Sequence, residues 1–173
     1  MQYFCIKFIF NMKKYFYFLS ILLLFVSCTE DIRFNNPAFQ TLKDNVFWRA
    51  QVYKAEIETN GVLVVEGSLG YEQIKLQLSE PEEKTYILGI DDISKAVYKN
   101  TYTGQEAEFT TGADIGNGQI IVTEYNTVDN TISGTFKITV VNTNSGAEKK
   151  EMHFSEGVFY KVPITPATNF TVN

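Results

Sequence analysis

Apolar residues recur at every second position in short runs, and turn-forming residues break those runs about every ten positions. Ile74, Leu76 and Leu78 alternate with Lys75 and Gln77, and Phe136, Ile138 and Val140 alternate with Lys137 and Thr139. Successive side chains of a strand point to opposite faces, so each run has one buried and one wet face. Similar runs cover Val46 to Tyr53, Val62 to Gly67, Thr85 to Leu88, Ala96 to Tyr102, Glu106 to Thr110, Gln119 to Tyr125, Lys149 to Phe154 and Val158 to Val162. Only Ala38 to Asp44 could make a turn of helix. The pattern predicts an all-β fold, an antiparallel β-sandwich of about ten short strands, with a closed lipocalin-like barrel as the alternative. Its expected core is Trp48, Ile74, Leu76, Leu78, Ile120, Val122, Phe136, Ile138, Val140, Met152, Phe154 and Phe159.

The turns agree with this reading. Asn60-Gly61 has the composition of a type I′ hairpin turn, and Asp129-Asn130 and Asn144-Ser145-Gly146 punctuate the last strands. Gly134, inside the long run from Thr131 to Asn142, predicts a bulge or bend.

The front of the chain follows a different rule. Lys13 and Lys14 precede an apolar run from Tyr15 to Val26, which ends in Ser27 and Cys28. A basic start, a short apolar stretch and a small residue before a cysteine make a lipoprotein signal peptide, with cleavage before Cys28 and lipid attached to it. The run falls well short of the ~20 apolar residues a membrane-spanning helix needs. A plain secretory signal fits less well, because Phe25 stands where a small residue is wanted. Met12, just ahead of the two lysines, is an alternative start to Met1. The chain therefore divides into a signal at 1–27, a lipidated terminus and polar tether at 28–45, an all-β domain at 46–165 and a tail at 166–173.

Cleavage would remove Lys7, Lys13 and Lys14, lowering the 15 basic residues to 12 against 20 acidic ones, a net charge of −8. Such a chain disfavours nucleic acid and has no polybasic patch for anionic lipid. Membrane attachment is then expected from lipid on Cys28 alone. Cys5 leaves with the signal, so the mature domain has no disulfide and no thiol nucleophile.

Several pieces of the mature chain carry a resemblance. They are Phe47-Trp48-Arg49-Ala50, Val64-Val65-Glu66-Gly67, Lys84-Thr85-Tyr86, Ile132-Ser133-Gly134-Thr135-Phe136 and Glu156-Gly157-Val158-Phe159. In this order they resemble a family of small uncharacterised lipoproteins of the Bacteroidota, mostly flavobacterial. Lys84-Thr85-Tyr86 departs from the pattern by lacking the glycine that usually precedes its Thr-Tyr pair. The resemblance implies an all-β domain of unknown function on a lipid anchor and assigns no catalytic residues. Glu30 and Asp31, just after Cys28, resemble the acidic export signal of surface lipoproteins in that group. Location at the outer membrane, exposed at the cell surface, is the expectation, with the periplasmic face as the alternative.

Residues for chemistry are few. His153 is the single histidine and shares its strand face with Lys149 and Glu151, so it is expected to point to water. One histidine and no available cysteine cannot build a histidine-based triad or a nitrogen–sulfur zinc site within one chain. Neither a cofactor nor a metal is expected. The remaining stock is carboxylates: Asp91-Asp92, the trio Glu80, Glu82 and Glu83, Asp114 near Asn117, and Asp129 beside Asn130. These keep a carboxylate-dependent hydrolase, such as a glycosidase, as the alternative reading. Tyr98 and Tyr102, four apart in one predicted strand, share a face and are the candidate aromatic binding patch. The favoured function is a non-catalytic binding module for a glycan, a peptide or a partner protein.

Overall fold

The computed structural model describes residues 36–166, which form strands and turns with no helix among them. Eleven strands follow one another: β1 (Ala38–Lys43), β2 (Val46–Arg49), β3 (Val52–Ile57), β4 (Leu63–Leu69), β5 (Glu72–Leu78), β6 (Thr85–Leu88), β7 (Lys95–Asn100), β8 (Ala107–Thr110), β9 (Asn117–Asn126), β10 (Thr131–Asn142) and β11 (Glu151–Pro166). Hydrogen bonds join them in one sheet, in the order β2-β1-β11-β3-β4-β5-β7-β8-β10-β9-β6, with β10 also paired to β11.

The register shows how this sheet doubles back on itself. Six strands, β2-β1-β11-β10-β9-β6, share ladders and form one layer. Five strands, β3-β4-β5-β7-β8, form the other. Two short ladders make the corners: Val141 and Asn142 of β10 with Thr110 and Phe109 of β8, and Ile164 to Pro166 of β11 with Ala55 to Ile57 of β3. The β11–β3 corner is the one parallel pairing and the rest are antiparallel. The expected all-β fold of about ten antiparallel strands is thus realised with eleven.

All twelve side chains expected in the core are buried. Phe39, Leu63, Val65, Phe109, Ile132 and Val162 join them. Rings from the two layers meet in the middle, with Tyr98 of β7 and Phe154 of β11 5.6 Å apart.

Four local expectations are corrected. Ala38 to Asp44 is strand β1 where a turn of helix was expected, so the polar tether does not extend to residue 45. Phe39 and Thr41 point inward at alternate positions, and the buried Thr41 hydroxyl donates to the Ser155 carbonyl at 2.9 Å. Val46 to Tyr53 is divided at Ala50–Gln51, where the chain crosses between layers: Ala50 N–H donates to Phe39 of β1 and Gln51 N–H to Ser68 of β4. The runs expected at Lys149 to Phe154 and Val158 to Val162 merge into one strand, β11, which starts only at Glu151 and bulges at Glu156 with a φ of 52°. The Asn60-Gly61 pair is not type I′, since Gly61 alone has a positive φ (86°) and its N–H donates to Glu58 O at 2.9 Å. Asp44-Asn45 instead joins paired strands with φ of 47° and 66°, the geometry a type I′ turn requires.

Candidate functional site

The corner between β8 and β10 opens at one end of the sandwich. Thr143 still donates its N–H and hydroxyl to the Glu108 carbonyl, at 2.9 and 3.1 Å, and beyond it the two chains part. The opening is a groove of about 890 Å³ between the β7–β8 loop and the β10–β11 connection. Its floor is apolar, made by the buried Tyr98, Phe109 and Met152. Lining polar residues include Asn100, Gln105, Glu106, Asn144 and Glu148.

Short side-chain-to-backbone bonds hold these walls. Asn100 Oδ1 accepts from Tyr102 N–H at 3.0 Å and Glu106 Oε2 from Gly104 N–H at 2.9 Å. Across the groove Asn142 binds Asn144 N–H and the Lys149 carbonyl, and Asn144 Oδ1 accepts from Gly146 N–H. These are turns that asparagine favours, because its side chain replaces a missing ladder partner. Lys99 pairs with Glu108 at 3.5 Å, and Lys149 pairs with Asp44 of the β1–β2 turn. Burial raises Asp44, but the bonds from Lys149 and from His153 N–H outweigh it and hold its carboxyl below the usual range.

Beneath the floor lies a charged cluster that ties the two layers together. Glu72 of β5 accepts from Tyr98 OH at 2.8 Å, from Trp48 Nε1 at 2.6 Å and from Lys43 Nζ. The Lys43 ammonium also lies 5.3 Å from the Tyr98 ring centroid. Burial raises the Glu72 carboxyl, yet the bonds from Lys43, Tyr98 and Trp48 more than compensate and hold it low. Burial and the neighbouring Glu72 carboxylate push the Tyr98 phenol far above its ordinary range. With both oxygens of Glu72 engaged, the cluster serves as an interlayer brace.

The sequence candidates are redistributed. Tyr98 and Tyr102 are not brought together as a patch: Tyr98 is 2% exposed and faces the core, whereas Tyr102 is 48% exposed. The reason is that β7 stops at Asn100, so strand alternation does not extend to Tyr102. Tyr102 instead meets Tyr71 of the β4–β5 turn, edge to face, with ring centroids 5.2 Å apart. Thr101 fixes this meeting by donating its N–H to the Tyr71 carbonyl at 3.0 Å. The sequence offered only a weak clue to Tyr71, its place after Gly70 in a turn.

The carboxylates serve local structure. Asp91 receives the N–H groups of Ile93 and Ser94, and Asp92 receives that of Ala113. Glu80 and Glu82 both pair with Lys84, Glu83 accepts from Tyr125 N–H, and Asp129 bonds Asn126. Asp114 sits at a φ of 57° in the β8–β9 loop, Asn117 starts β9 opposite Thr139, and Asn130 is the positive-φ residue of the β9–β10 turn. Among the described residues no three His, Cys, Asp or Glu side chains converge as metal ligands. His153 is exposed, as alternation requires, and bonds Thr139 at 3.0 Å. Cys28, Glu30 and Asp31 lie outside the described residues, as do the signal at 1–27 and the tail beyond residue 166.

A smaller cavity of about 290 Å³ sits on the outer face where Glu156 and Gly157 bulge from β11, beside Thr135 and Lys137 of β10.

Residues 35–163 match the family DUF6252, described as a domain of unknown function. No curated protein and no solved structure matches the chain.

Proposed function

The chain belongs to the DUF6252 family, so its role has to come from its own residues, and we propose that it is a lipid-anchored envelope lipoprotein of the Bacteroidota type that binds a ligand in its groove without transforming it. The anchor is lipid on Cys28, and Glu30 and Asp31 direct the protein to the outer face of the outer membrane. One observation supports this assembly above others: the direction of β1. The chain joins the sheet at Ala38, the end of β1 remote from Lys43 and Asp44, which reach Tyr98 and Lys149 of the groove. A six-residue strand spans roughly 20 Å. Lipid attached ahead of β1 would therefore hold the far end at the membrane and turn the groove outward.

Two measurements test this. Mass spectrometry of the cell-derived protein should find an acylated Cys28 as its first residue; a free thiol with the preceding segment attached would remove the anchor. A Ser145→Cys variant, at the groove rim, should react with a membrane-impermeant maleimide in intact cells. Labelling only after permeabilisation would instead assign the protein to the periplasmic face.

A further inference from the structure

Resting on the groove as a binding site, we infer that its ligand is an uncharged saccharide chain, gripped between the exposed rings of Tyr71 and Tyr102 and the carboxamide-bearing walls. Charge narrows the class first. The lining holds two cations, Lys99 and Lys149, and each is committed to a carboxylate, Glu108 and Asp44. Glu106 and Glu148 add negative charge to the same walls. A phosphate, sulfate or uronate would find no surplus cation there and would be repelled by like charge.

Shape and hydrogen bonding narrow it again. An extended peptide binds by adding to a strand edge, where main-chain bonds supply the affinity. Here the strand edges that border the groove bond each other, through Asn142 with Phe109 and Thr143 with Glu108. What the walls present instead is side-chain polarity: the carboxamides of Asn100, Gln105 and Asn144 and the carboxylates of Glu106 and Glu148. Carboxylates and carboxamides pair well with hydroxyl groups, the carboxylates most strongly because they are charged.

The tyrosine pair supplies the apolar half of the contact. Tyr71 and Tyr102 are large rings left 61% and 48% exposed, and Tyr102 lies in the chain between Thr101 and Gly104, both of which line the groove. Their edge-to-face packing and the Thr101–Tyr71 hydrogen bond keep both rings in place, so ordering them for a ligand costs little. A sugar ring has one carbon–hydrogen face for an aromatic ring and a rim of hydroxyls for polar neighbours. A volume of about 890 Å³ falls within the range of sites for drug-sized ligands, and its open form admits a chain of several sugar units.

The full-length protein in detergent micelles is titrated calorimetrically with uncharged oligosaccharides, their uronate and sulfate counterparts, and unstructured peptides of mixed composition. An uncharged oligosaccharide should bind, and Tyr71→Ala and Tyr102→Ala should each weaken it about tenfold or more. Lys137→Ala, in the outer-face cavity, should leave binding unchanged. Unaltered Trp48 emission will show that each variant is folded. Preference for charged sugars, or uncharged-sugar binding that survives both tyrosine changes, overturns the inference. If peptides bind and sugars do not, with peptide binding lost in Tyr102→Ala, the saccharide inference falls and the groove reading stands. If no class of ligand binds, both fall.

Discussion

Gly134 and Gly157 are the residues on which β10 and β11 interlock. In the β10–β11 ladder Gly134 lies opposite Phe159 and Phe136 opposite Gly157, so each phenylalanine covers the glycine of the other strand. A Cβ on Gly157 would stand 2.6 Å from Phe136 ring atoms, and one on Gly134 would collide with the Phe159 ring and the Ile121 carbonyl. This reciprocity gives a physical reason for the pairing of Ile132-Ser133-Gly134-Thr135-Phe136 with Glu156-Gly157-Val158-Phe159 in the chain. Both were visible as motifs, but their meeting across 20-odd residues needed the register. Gly134→Ala and Gly157→Ala should each cost about 1–3 kcal/mol by overpacking, measured by urea unfolding. A cost near zero for both would mean the rings can tilt aside.

At the scale of elements, the instructive one is β1. Its sequence alternates Phe39 and Thr41 inward against Gln40 and Leu42, and a lone inward phenylalanine with a threonine is a faint apolar period. The strand exists because β2 and β11 supply ladders on both of its edges. Phe39 packs against Trp48 and Phe136, with ring centroids at 6.1 and 5.4 Å. Phe39→Ala should therefore destabilise the fold by about 3–5 kcal/mol, as expected for a fully buried ring. A tether residue would cost nothing, so a change within experimental error in chemical denaturation would detach β1 from the core. The turn residues make the same point. Asn60-Gly61 has the stronger hairpin composition, yet the type I′ geometry belongs to Asp44-Asn45, because loop length and the pairing of Lys43 with Val46 select the turn.

Across the whole molecule, Glu72 couples the layers: it and Tyr98 belong to one, Lys43 and Trp48 to the other. Its carboxyl is held below the ordinary value of 4.5 in the folded state. The stability this confers is complete above that value and is lost as pH falls through the lower folded-state value, since protonation then favours the unfolded chain. Asp44, also held low, adds to the same acid window. Stability to urea should thus fall as the pH drops below about 4.5, and Glu72→Gln should be less stable at neutral pH with a shallower acid slope. Trp48, the only tryptophan, bonds Glu72 directly and reports the event by its emission. An unchanged acid slope in Glu72→Gln would show that the brace is not what titrates.

The sequence by itself determined the fold class, twelve residues of the core and the polarity of the regularly alternating strands, because strand alternation and turn chemistry are local and repeat every two or ten residues. That is why all twelve expected core residues are buried and His153 faces water. It also carried the expectation of an anchor at Cys28, a local signal read from composition and order. The tertiary structure decided everything that joins distant positions: the course of β1, the crossing at Ala50–Gln51, the Glu72 brace, the groove and the Tyr71–Tyr102 pair. No local period encodes these. They arise where two layers with ragged strand ends meet at a corner, and which loops face each other there depends on the register of the entire sheet.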